Sequence, residues 1–290
     1  MCRKIIRADV LGFCFGVRRA VDLSLSELER CPRGTVCSIG PLIHNRTFLE
    51  YMEDRGLSVA LDSGALSSGK TAIIRAHGIS PAEMERISRS GCRVVDATCP
   101  RVKMSQHIVG REAARGKFII LTGDRNHGEV RSVAGFASCG FSVIQTADEA
   151  EEFSVPADFN GKSVLLSQTT FSPDEFRRIS EILAGKIPDL AVINTICPAT
   201  EERQAALLRL SSVTDGIVVV GGRASANTVR LFNLARSNVP AAVHVETADE
   251  IPDSFFGLER VGLTAGASTP DFIISEVEDR FSGMGYRIGP

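Results

Sequence analysis

Short runs of β-branched and other apolar residues recur along the chain, and most of them end in glycine and polar residues. Runs of this length and composition predict β-strands, and their nearly continuous apolar character predicts burial on both faces. The predicted strands are Thr35–Ile39, Leu57–Ala60, Thr71–Ala76, Lys117–Thr122, Phe141–Gln145, Ser163–Ser167, Gly216–Val220, Ala242–Val245 and Arg260–Thr264. Helix-like segments alternate with these runs, which favours parallel sheets covered by helices.

One pattern occurs three times: a short apolar run leads through a few polar residues to a cysteine, and a helix-like stretch follows. The cysteines are Cys14, Cys99 and Cys197. The second and third copies end in DATCP and NTICP, while the first copy, KIIRADVLGFC, lacks the proline. The helices predicted after them are Phe15–Leu28, Val102–Arg115 and Glu201–Leu210. Self-similarity of this kind indicates an internal repeat.

The repeat predicts an α/β fold of three similar units with parallel-type sheets, in a pseudo-threefold arrangement around a central cluster cavity. The expected boundaries are 15–98 for the first unit, 99–194 for the second, and 195–282 completed by 1–14 for the third, with 283–290 as a short C-terminal tail. In open α/β sheets, ligands bind beyond the carboxyl ends of the strands. The three cysteines and the polar loops all lie at those ends, so we expect them to line one cavity.

Composition narrows the class of protein. The chain has 290 residues, of which 43% are apolar, and this is enough for a sizeable core. Its formal net charge of -2 gives no global electrostatic reason to bind nucleic acid or an anionic membrane. No apolar run reaches the roughly 18 residues of a membrane span. The segment MCRKIIRADV lacks a long apolar signal region. We therefore expect a cytoplasmic protein.

The cysteines carry the first chemical signal. In the cytoplasm the cysteines are expected to be reduced thiols, metal ligands or catalytic groups. The sequence contains no CxxC pair, which argues against a zinc ribbon and against a ferredoxin-type cluster loop. For the three cysteines of the repeat, a structural zinc site, a cubane iron–sulfur cluster with one open iron and a cysteine-lined core all remain open. The other cysteines are interpreted as small buried hydrophobes: Cys2, Cys31, Cys37, Cys92 and Cys139.

The loops after the strands supply polar groups suited to an anion. His44, His77 and His127 each follow a strand, next to small or polar residues. A single such histidine is more often structural, but three at equivalent strand ends favour a site. A further set of hydroxyl and amide side chains lies in glycine-rich loops that precede helices: Ser225, Asn227 and Ser268. Together they predict a phosphate or diphosphate site, although serine at such a position is also an ordinary N-cap.

Glu129 and Thr169 complete the set of candidate residues. Glu129 follows His127 by two residues, at the edge of the same predicted cavity, and can deliver protons there if burial raises its pKa. The alternative interpretation is that Glu129 is a solvated glutamate in a surface loop. Thr169 can orient a hydroxyl group or a water molecule, or it can simply start the next helix.

The motifs together resemble the 4-hydroxy-3-methylbut-2-enyl diphosphate reductase family of the non-mevalonate isoprenoid pathway. The resemblance covers nearly the whole chain and rests on these pieces: GFCFGVRRA (12–20), IHNR (43–46), AHGIS (76–80), DATCP (96–100), NHGE (126–129), SQTT (167–170), NTICPAT (194–200), ASAN (224–227) and TAGASTPD (264–271). It implies the three-unit α/β fold with a [4Fe–4S] cluster in the middle.

The resemblance also implies roles. Cys14, Cys99 and Cys197 would ligate the cluster and leave one iron open. Glu129 would pass protons, with Thr169 helping to orient the substrate hydroxyl. The diphosphate would be held by His44, His77, His127, Ser225, Asn227 and Ser268, with Thr169 and His127 counted among both the catalytic and the binding residues. The reaction would remove the C4 hydroxyl as water and give isopentenyl and dimethylallyl diphosphate. A ferredoxin or flavodoxin would supply the electrons.

Four positions depart from the usual pattern of the family. The family usually has proline where this chain has Gly128, and serine or glycine where it has Ala226. Histidine is common at the position of Gln106, and a residue other than Pro198 usually follows the third cysteine. Two other functional classes remain open: a cluster enzyme resembling quinolinate synthase, and a non-catalytic protein of this fold, either a cluster-binding iron or redox sensor or a zinc-stabilised anion-binding protein.

Overall fold

A computed structural model describes residues 3–60, 66–154, 156 and 162–289. Strands and helices alternate along this part of the chain. The strands are β1 (Lys4–Arg7), β2 (Val36–Ile39), β3 (Leu57–Ala60), β4 (Thr71–Ile74), β5 (Arg93–Asp96), β6 (Phe118–Thr122), β7 (Phe141–Ile144), β8 (Lys162–Ser167), β9 (Asp189–Val192), β10 (Gly216–Val220), β11 (Ala241–Val245), β12 (Arg260–Ala265) and β13 (Arg287–Gly289).

The helices cover the sheets that these strands form. They are α1 (Phe15–Arg30), α2 (Arg46–Asp54), α3 (Pro81–Arg89), α4 (Pro100–Ala114), α5 (Gly128–Ala134), α6 (Ala147–Glu152), α7 (Pro173–Lys186), α8 (Pro198–Ser211), α9 (Ala226–Asn238) and α10 (Asp271–Gly283). Two short 3₁₀ helices, Ala248–Glu250 and Asp253–Gly257, lie between β11 and β12. No helix within the described ranges is both long and apolar enough to cross a membrane.

The strands form three sheets, and every strand pair is parallel. The orders are β3-β2-β4-β5, β7-β6-β8-β9 and β11-β10-β12-β1-β13. All residues of the inner strands β2, β4, β6 and β10 are buried, which is expected when helices cover both faces of a parallel sheet. The predicted fold class, an α/β protein of three similar parallel-sheet units, is confirmed.

The end of the chain differs from the sequence prediction. Residues 283–290 were expected to form a tail, but Arg287–Gly289 is strand β13, which pairs with β1 at the edge of the third sheet. The segment RIG has only one large apolar residue, so its own pattern does not mark it as a strand. Its backbone pairing with β1 makes it one. The unit boundaries 15–98, 99–194 and 195–282 stay a prediction.

The chain divides into two compact units. Unit 1 contains residues 1–18, 43–55 and 198–290, and unit 2 contains residues 19–42 and 56–197. The core of unit 1 packs the β1, β10 and β12 side chains against α8, α9 and α10. Unit 2 holds two four-stranded sheets, whose buried strands pack against α3, α4, α5 and α7.

Candidate active site

The three cysteines occupy equivalent positions in the backbone. Each follows the strand next to an inner strand of its sheet, as β1 pairs with β12, β5 with β4 and β9 with β8. In each copy the cysteine N–H donates to a carbonyl in the loop after that inner strand: Cys14 to Ala267 (3.1 Å), Cys99 to Ala76 (2.9 Å) and Cys197 to Thr169 (2.8 Å). These acceptors precede or belong to the predicted binding residues Ser268, His77 and Thr169. Each thiol is therefore fixed beside one candidate binding loop.

Local sequence explains the approach to two of these cysteines. Three residues before each stands a short side chain that accepts a hydrogen bond from the N–H two residues on: Asp96 from Thr98 (2.9 Å) and Asn194 from Ile196 (2.9 Å). This Asx turn bends the chain just before the cysteine. Proline then opens the following helix, and Pro198 occupies the same place in α8 that Pro100 occupies in α4.

None of the repeat cysteines forms a disulfide within the described residues, and all three have intermediate exposure. Of the remaining cysteines, Cys37 and Cys92 are buried, as expected, whereas Cys31 and Cys139 are only partly buried. Burial raises the pKa of the Cys37 and Cys139 thiols, so they stay protonated and inert at neutral pH. Cys2 lies outside the described residues.

Glu129 and Thr169 form a buried pair in unit 2. Glu129 is only 2% exposed, so it is not the solvated loop glutamate of the alternative interpretation. The Thr169 N–H donates to Oε1 of Glu129 (2.6 Å), and the Thr169 hydroxyl donates to Oε2 (2.7 Å). Because the Thr169 carbonyl also accepts from Cys197, one residue connects the carboxylate to a repeat cysteine.

His77 and His127 lie together in the same unit. Their ring centroids are 4.9 Å apart in an edge-to-face arrangement. His127 is the N-cap of α5, and its Nδ1 accepts the Glu129 N–H (3.2 Å). An accepting Nδ1 carries no proton, so this hydrogen bond assigns the neutral tautomer with its proton on Nε2. The donor of the His127 ring is therefore Nε2–H.

Unit 1 brings together the predicted hydroxyl and amide groups. The Ser268 hydroxyl donates to Oγ of Ser225 (3.2 Å), and both side chains are buried. Ser225 is also the N-cap of α9, so the structural role considered for it is real. Asn227 is buried, and its Nδ2 has no hydrogen-bond partner among the described residues. A buried donor without a partner is costly, and an oxyanion would satisfy it.

His44 belongs to unit 1 and approaches the same loop. A side-chain carbon on Gly222 would overlap the carbonyl oxygen of His44, so only glycine permits this contact. His44 precedes Asn45, whose side chain accepts the Phe48 N–H (2.9 Å) and caps α2. The backbone of His44 is thus fixed between the start of α2 and the loop that leads to Ser225.

Three further residues support these loops. Arg203 is buried on α8 and donates to the carbonyl of Gly12 (2.6 Å), two residues before Cys14. Gln106 on α4 donates to the hydroxyl of Ser132 on α5 (2.7 Å). Arg75 directly follows β4 and packs against Gly128. The sequence pattern does not single out Arg203 or Arg75, because Gly12 and Gly128, which they contact, lie far away in the chain.

Cys14, Cys99 and Cys197 offer sulfur ligands, which is the chemistry that an iron–sulfur centre requires. Thiolate sulfur is the usual ligand of such clusters, and none of the repeat cysteines forms a disulfide in the described part of the chain. The fold and these residues together define a three-sheet α/β protein with a candidate iron–sulfur centre, for which each repeat offers one cysteine at the equivalent strand end. The chain belongs to the LytB family: residues 5–282 match the family described as LytB protein. Membership in this family implies an iron–sulfur cluster.

Relatives over nearly the full length carry one name, 4-hydroxy-3-methylbut-2-enyl diphosphate reductase. The protein of Treponema denticola is 43% identical over 94% of this chain and 97% of its own length. That of Solidesulfovibrio magneticus is 40% identical over 95% of this chain and 98% of its own. That of Aquifex aeolicus is 37% identical, with 95% of both chains covered.

Two solved structures share the fold. One is described as the structure of (E)-4-hydroxy-3-methyl-but-2-enyl diphosphate reductase, the terminal enzyme of the non-mevalonate pathway. Its TM-score is 0.73 at 35% identity, with 97% of this chain and 99% of that chain covered. The corresponding reductase of Plasmodium falciparum has a TM-score of 0.91 at 27% identity and covers all of this chain and 92% of its own.

Proposed function

We propose that the protein removes the C4 hydroxyl of (E)-4-hydroxy-3-methylbut-2-enyl diphosphate. Two electrons and two protons break the C–O bond, the oxygen leaves as water, and the carbon skeleton becomes isopentenyl or dimethylallyl diphosphate. The observation that carries this proposal is the buried Glu129–Thr169 pair, which one backbone hydrogen bond joins to Cys197. The names of the relatives supply the substrate.

We assign Cys14, Cys99 and Cys197 as ligands of one [4Fe–4S] cluster. Structural zinc sites usually take four protein ligands, often in close sequence pairs, and the chain offers three separate thiols at equivalent strand ends. When bound, a cubane cluster with three cysteine ligands supplies electrons and one iron open to a substrate oxygen. A ferredoxin or flavodoxin is the electron donor in this proposal.

The diphosphate is assigned to a set of imidazole, amide and hydroxyl donors. His77 and His127 offer imidazole N–H groups, and His44 is assigned the same role. Asn227 offers a buried amide N–H, and the hydrogen-bonded Ser225 and Ser268 hydroxyls are assigned the same role. Neutral and cationic donors around an anion stabilise it most when water is excluded, and these serine and asparagine side chains are buried.

Glu129 is assigned the delivery of protons to the departing oxygen. A carboxylic acid at a site with little water can give up a proton only to a partner held in hydrogen-bond reach, so its orientation matters. Thr169 fixes that orientation through both of its donors. The same hydroxyl can turn towards the substrate oxygen.

The test is anaerobic reconstitution with iron and sulfide, followed by an assay with reduced methyl viologen and the hydroxylated allylic diphosphate. We expect oxidation of the dye together with the appearance of both C5 diphosphates. A brown protein that never consumes this substrate would reject the reaction, and small dicarboxylic substrates would then test the class resembling quinolinate synthase. A colourless protein that carries zinc would reject the cluster.

A further inference from the structure

Arg75 is a largely buried cation that lacks a partner. It stands directly after β4 and two residues before His77. Its Nε is fully buried and has no hydrogen-bond partner among the described residues. Within the same residues its side chain forms no ion pair either. Arginine in such a position usually forms bidentate hydrogen bonds to a carboxylate or a phosphate.

No described group forms an ion pair with this charge. Burial and the neighbouring Arg131 lower the pKa of Arg75, and Glu83 acts in the opposite direction. Oε2 of Glu83 accepts from the Ser80 N–H (2.9 Å) and the Ser80 hydroxyl (2.8 Å) at the start of α3. A buried guanidinium without an anion is unfavourable, so this position favours binding of an anion from outside the chain.

Two glycines provide the space for the guanidinium. A Cβ built on Gly40 would lie 3.1 Å from Nη1 of Arg75, and one built on Gly128 would overlap Nη2. Gly128 stands between His127 and Glu129, so the guanidinium packs against the backbone of that loop. Arg75 thus adjoins the loop of one candidate imidazole and precedes the other by two residues.

We propose that Arg75 binds the diphosphate of the substrate together with His77 and His127, and that Gly128 keeps open the space its guanidinium needs. The identity of the anion rests on the proposed function. The guanidinium presents paired N–H donors that match two phosphate oxygens, whereas a lysine ammonium offers only a point charge at this place.

The first test uses inorganic pyrophosphate as the probe on the cluster-loaded protein. Binding is measured by anaerobic calorimetry for the wild type, Arg75→Met, Arg75→Lys and the control Arg86→Met, an exposed arginine on α3. We expect Arg75→Met to weaken pyrophosphate binding at least tenfold, Arg75→Lys to recover part of the loss, and the control to match the wild type. Equal affinity of Arg75→Met and wild type, or no binding by the wild type, overturns the proposal.

Thermal unfolding without pyrophosphate separates binding from a structural role. Because Arg75→Met removes an uncompensated buried charge, its Tm should equal or exceed that of the wild type. Addition of pyrophosphate should raise the Tm of the wild type much more than that of the variant. A Tm well below that of the wild type without ligand would make Arg75 structural and reject the proposal.

Gly128→Ala tests the role of the glycine. Its new methyl group should displace the guanidinium and weaken pyrophosphate binding in the wild-type background. In the Arg75→Met background the same change should have little further effect, because the displaced group is already absent. Fully additive losses would reject the coupling between Gly128 and Arg75.

Turnover of the allylic diphosphate distinguishes this proposal from the proposed function. Binding of pyrophosphate through Arg75 without any reduction of the substrate would leave the Arg75 site standing and reject the reaction. Reduction of the substrate with an unchanged KM in Arg75→Met would support the reaction and reject the site.

Discussion

Thr169 holds the carboxylate of Glu129 through its backbone N–H and its side-chain hydroxyl. The two donors bind different oxygens of the carboxylate, so they fix both its position and the orientation of its plane. At 2% exposure, water cannot replace either contact. The orientation of the Glu129 carboxylate therefore depends on Thr169.

Replacement of Glu129 by glutamine preserves the volume of the side chain and its contact with the Thr169 N–H but removes the ionisable carboxyl proton. We expect turnover to fall by about 10²- to 10⁴-fold, the usual contribution of a general acid. Pyrophosphate affinity should not change, because Glu129 is not among the anion donors. Steady-state assays with reduced methyl viologen and calorimetry measure the two quantities.

Variants at Thr169 provide the matched control for Glu129→Gln. Thr169→Ser keeps the hydroxyl and should retain most of the turnover, while Thr169→Val keeps the shape and should lose much of it. If Glu129→Gln turns over at the wild-type rate, the carboxyl group delivers no proton.

Single residues also show where a pattern in the sequence stops being informative. Glu129, Thr169 and the three histidines stand in recognisable loops, so the sequence identifies them as candidates. The surroundings of Arg75 cannot be inferred in this way, because Gly40 and Gly128 reach it only in the folded chain. The same holds for the neutral tautomer of His127, which depends on one backbone N–H.

At the scale of elements, the loop before α9 and the start of α2 depend on a close backbone contact at Gly222. A methyl group there would overlap the carbonyl oxygen of His44. We expect Gly222→Ala to lower the free energy of unfolding by about 1–3 kcal/mol, because the loop must shift. Anaerobic urea unfolding measures this change, and pyrophosphate binding should weaken with it.

Gly185 near the end of α7 is the matched control for Gly222. A Cβ there meets nothing within 4 Å, and Gly185 lies inside a helix. Gly185→Ala should therefore raise the free energy of unfolding by about 0.5–1 kcal/mol. An equal loss in both variants would show that the contact of Gly222 with His44 is unimportant.

Helix α4 ends on a buried carboxylate with three basic partners. Glu112 accepts from Lys117 (2.7 Å), Arg111 (2.8 Å) and Arg115 (3.1 Å). The hydrogen bond from Lys117 lowers the pKa of Glu112, assisted by Arg111 and Arg115, although burial acts in the opposite direction. The group therefore stabilises the fold in its charged form.

The lowered pKa of Glu112 predicts how the stability loss in Glu112→Gln depends on pH. With a folded pKa below the unfolded value of about 4.3, the contribution of Glu112 is complete above that pH and is lost as pH falls through the folded pKa. We expect the variant to lose about 1–3 kcal/mol of unfolding free energy at pH 7. The difference from the wild type should shrink below about pH 4 in urea titrations. The exposed Glu85→Gln should change little, and a gap independent of pH would contradict the assignment.

Most strand bounds follow from sequence because an inner strand of a parallel sheet must be apolar on both faces. Gly216–Val220 and Leu57–Ala60 coincide with the prediction, and the others lie within about two residues of it. Strand β13 was missed because its pairing with β1, rather than its composition, makes it a strand. Helix starts follow from local chemistry, as in the capping box of Ser80 and Glu83.

At the scale of the whole molecule, the repeat is visible in hydrogen bonding as well as in sequence. Three times, the cysteine N–H donates to the loop after the neighbouring inner strand. The first copy reaches this geometry without the Asx turn and the proline of the other two, so the sheet register rather than the local motif defines it. This equivalent geometry supports the proposal that the three thiols have the same role as ligands.

If the three repeat cysteines bind the same cluster, replacing any one of them should have the same effect on bound iron. We expect Cys14→Ser, Cys99→Ser and Cys197→Ser each to lose most of the bound iron and the brown colour after anaerobic reconstitution, because a cluster held by three thiolates is poorly held by two. The control is Cys37→Ala, which removes a buried thiol outside the repeat and should keep both. Iron and sulfide per chain are the measurements. Full iron content in any serine variant would exclude that cysteine as a ligand, and loss of iron from Cys37→Ala would show that the assay reports folding. Equal losses of iron in the three serine variants, with full iron content in Cys37→Ala, would support the assignment of the repeat cysteines as the cluster ligands.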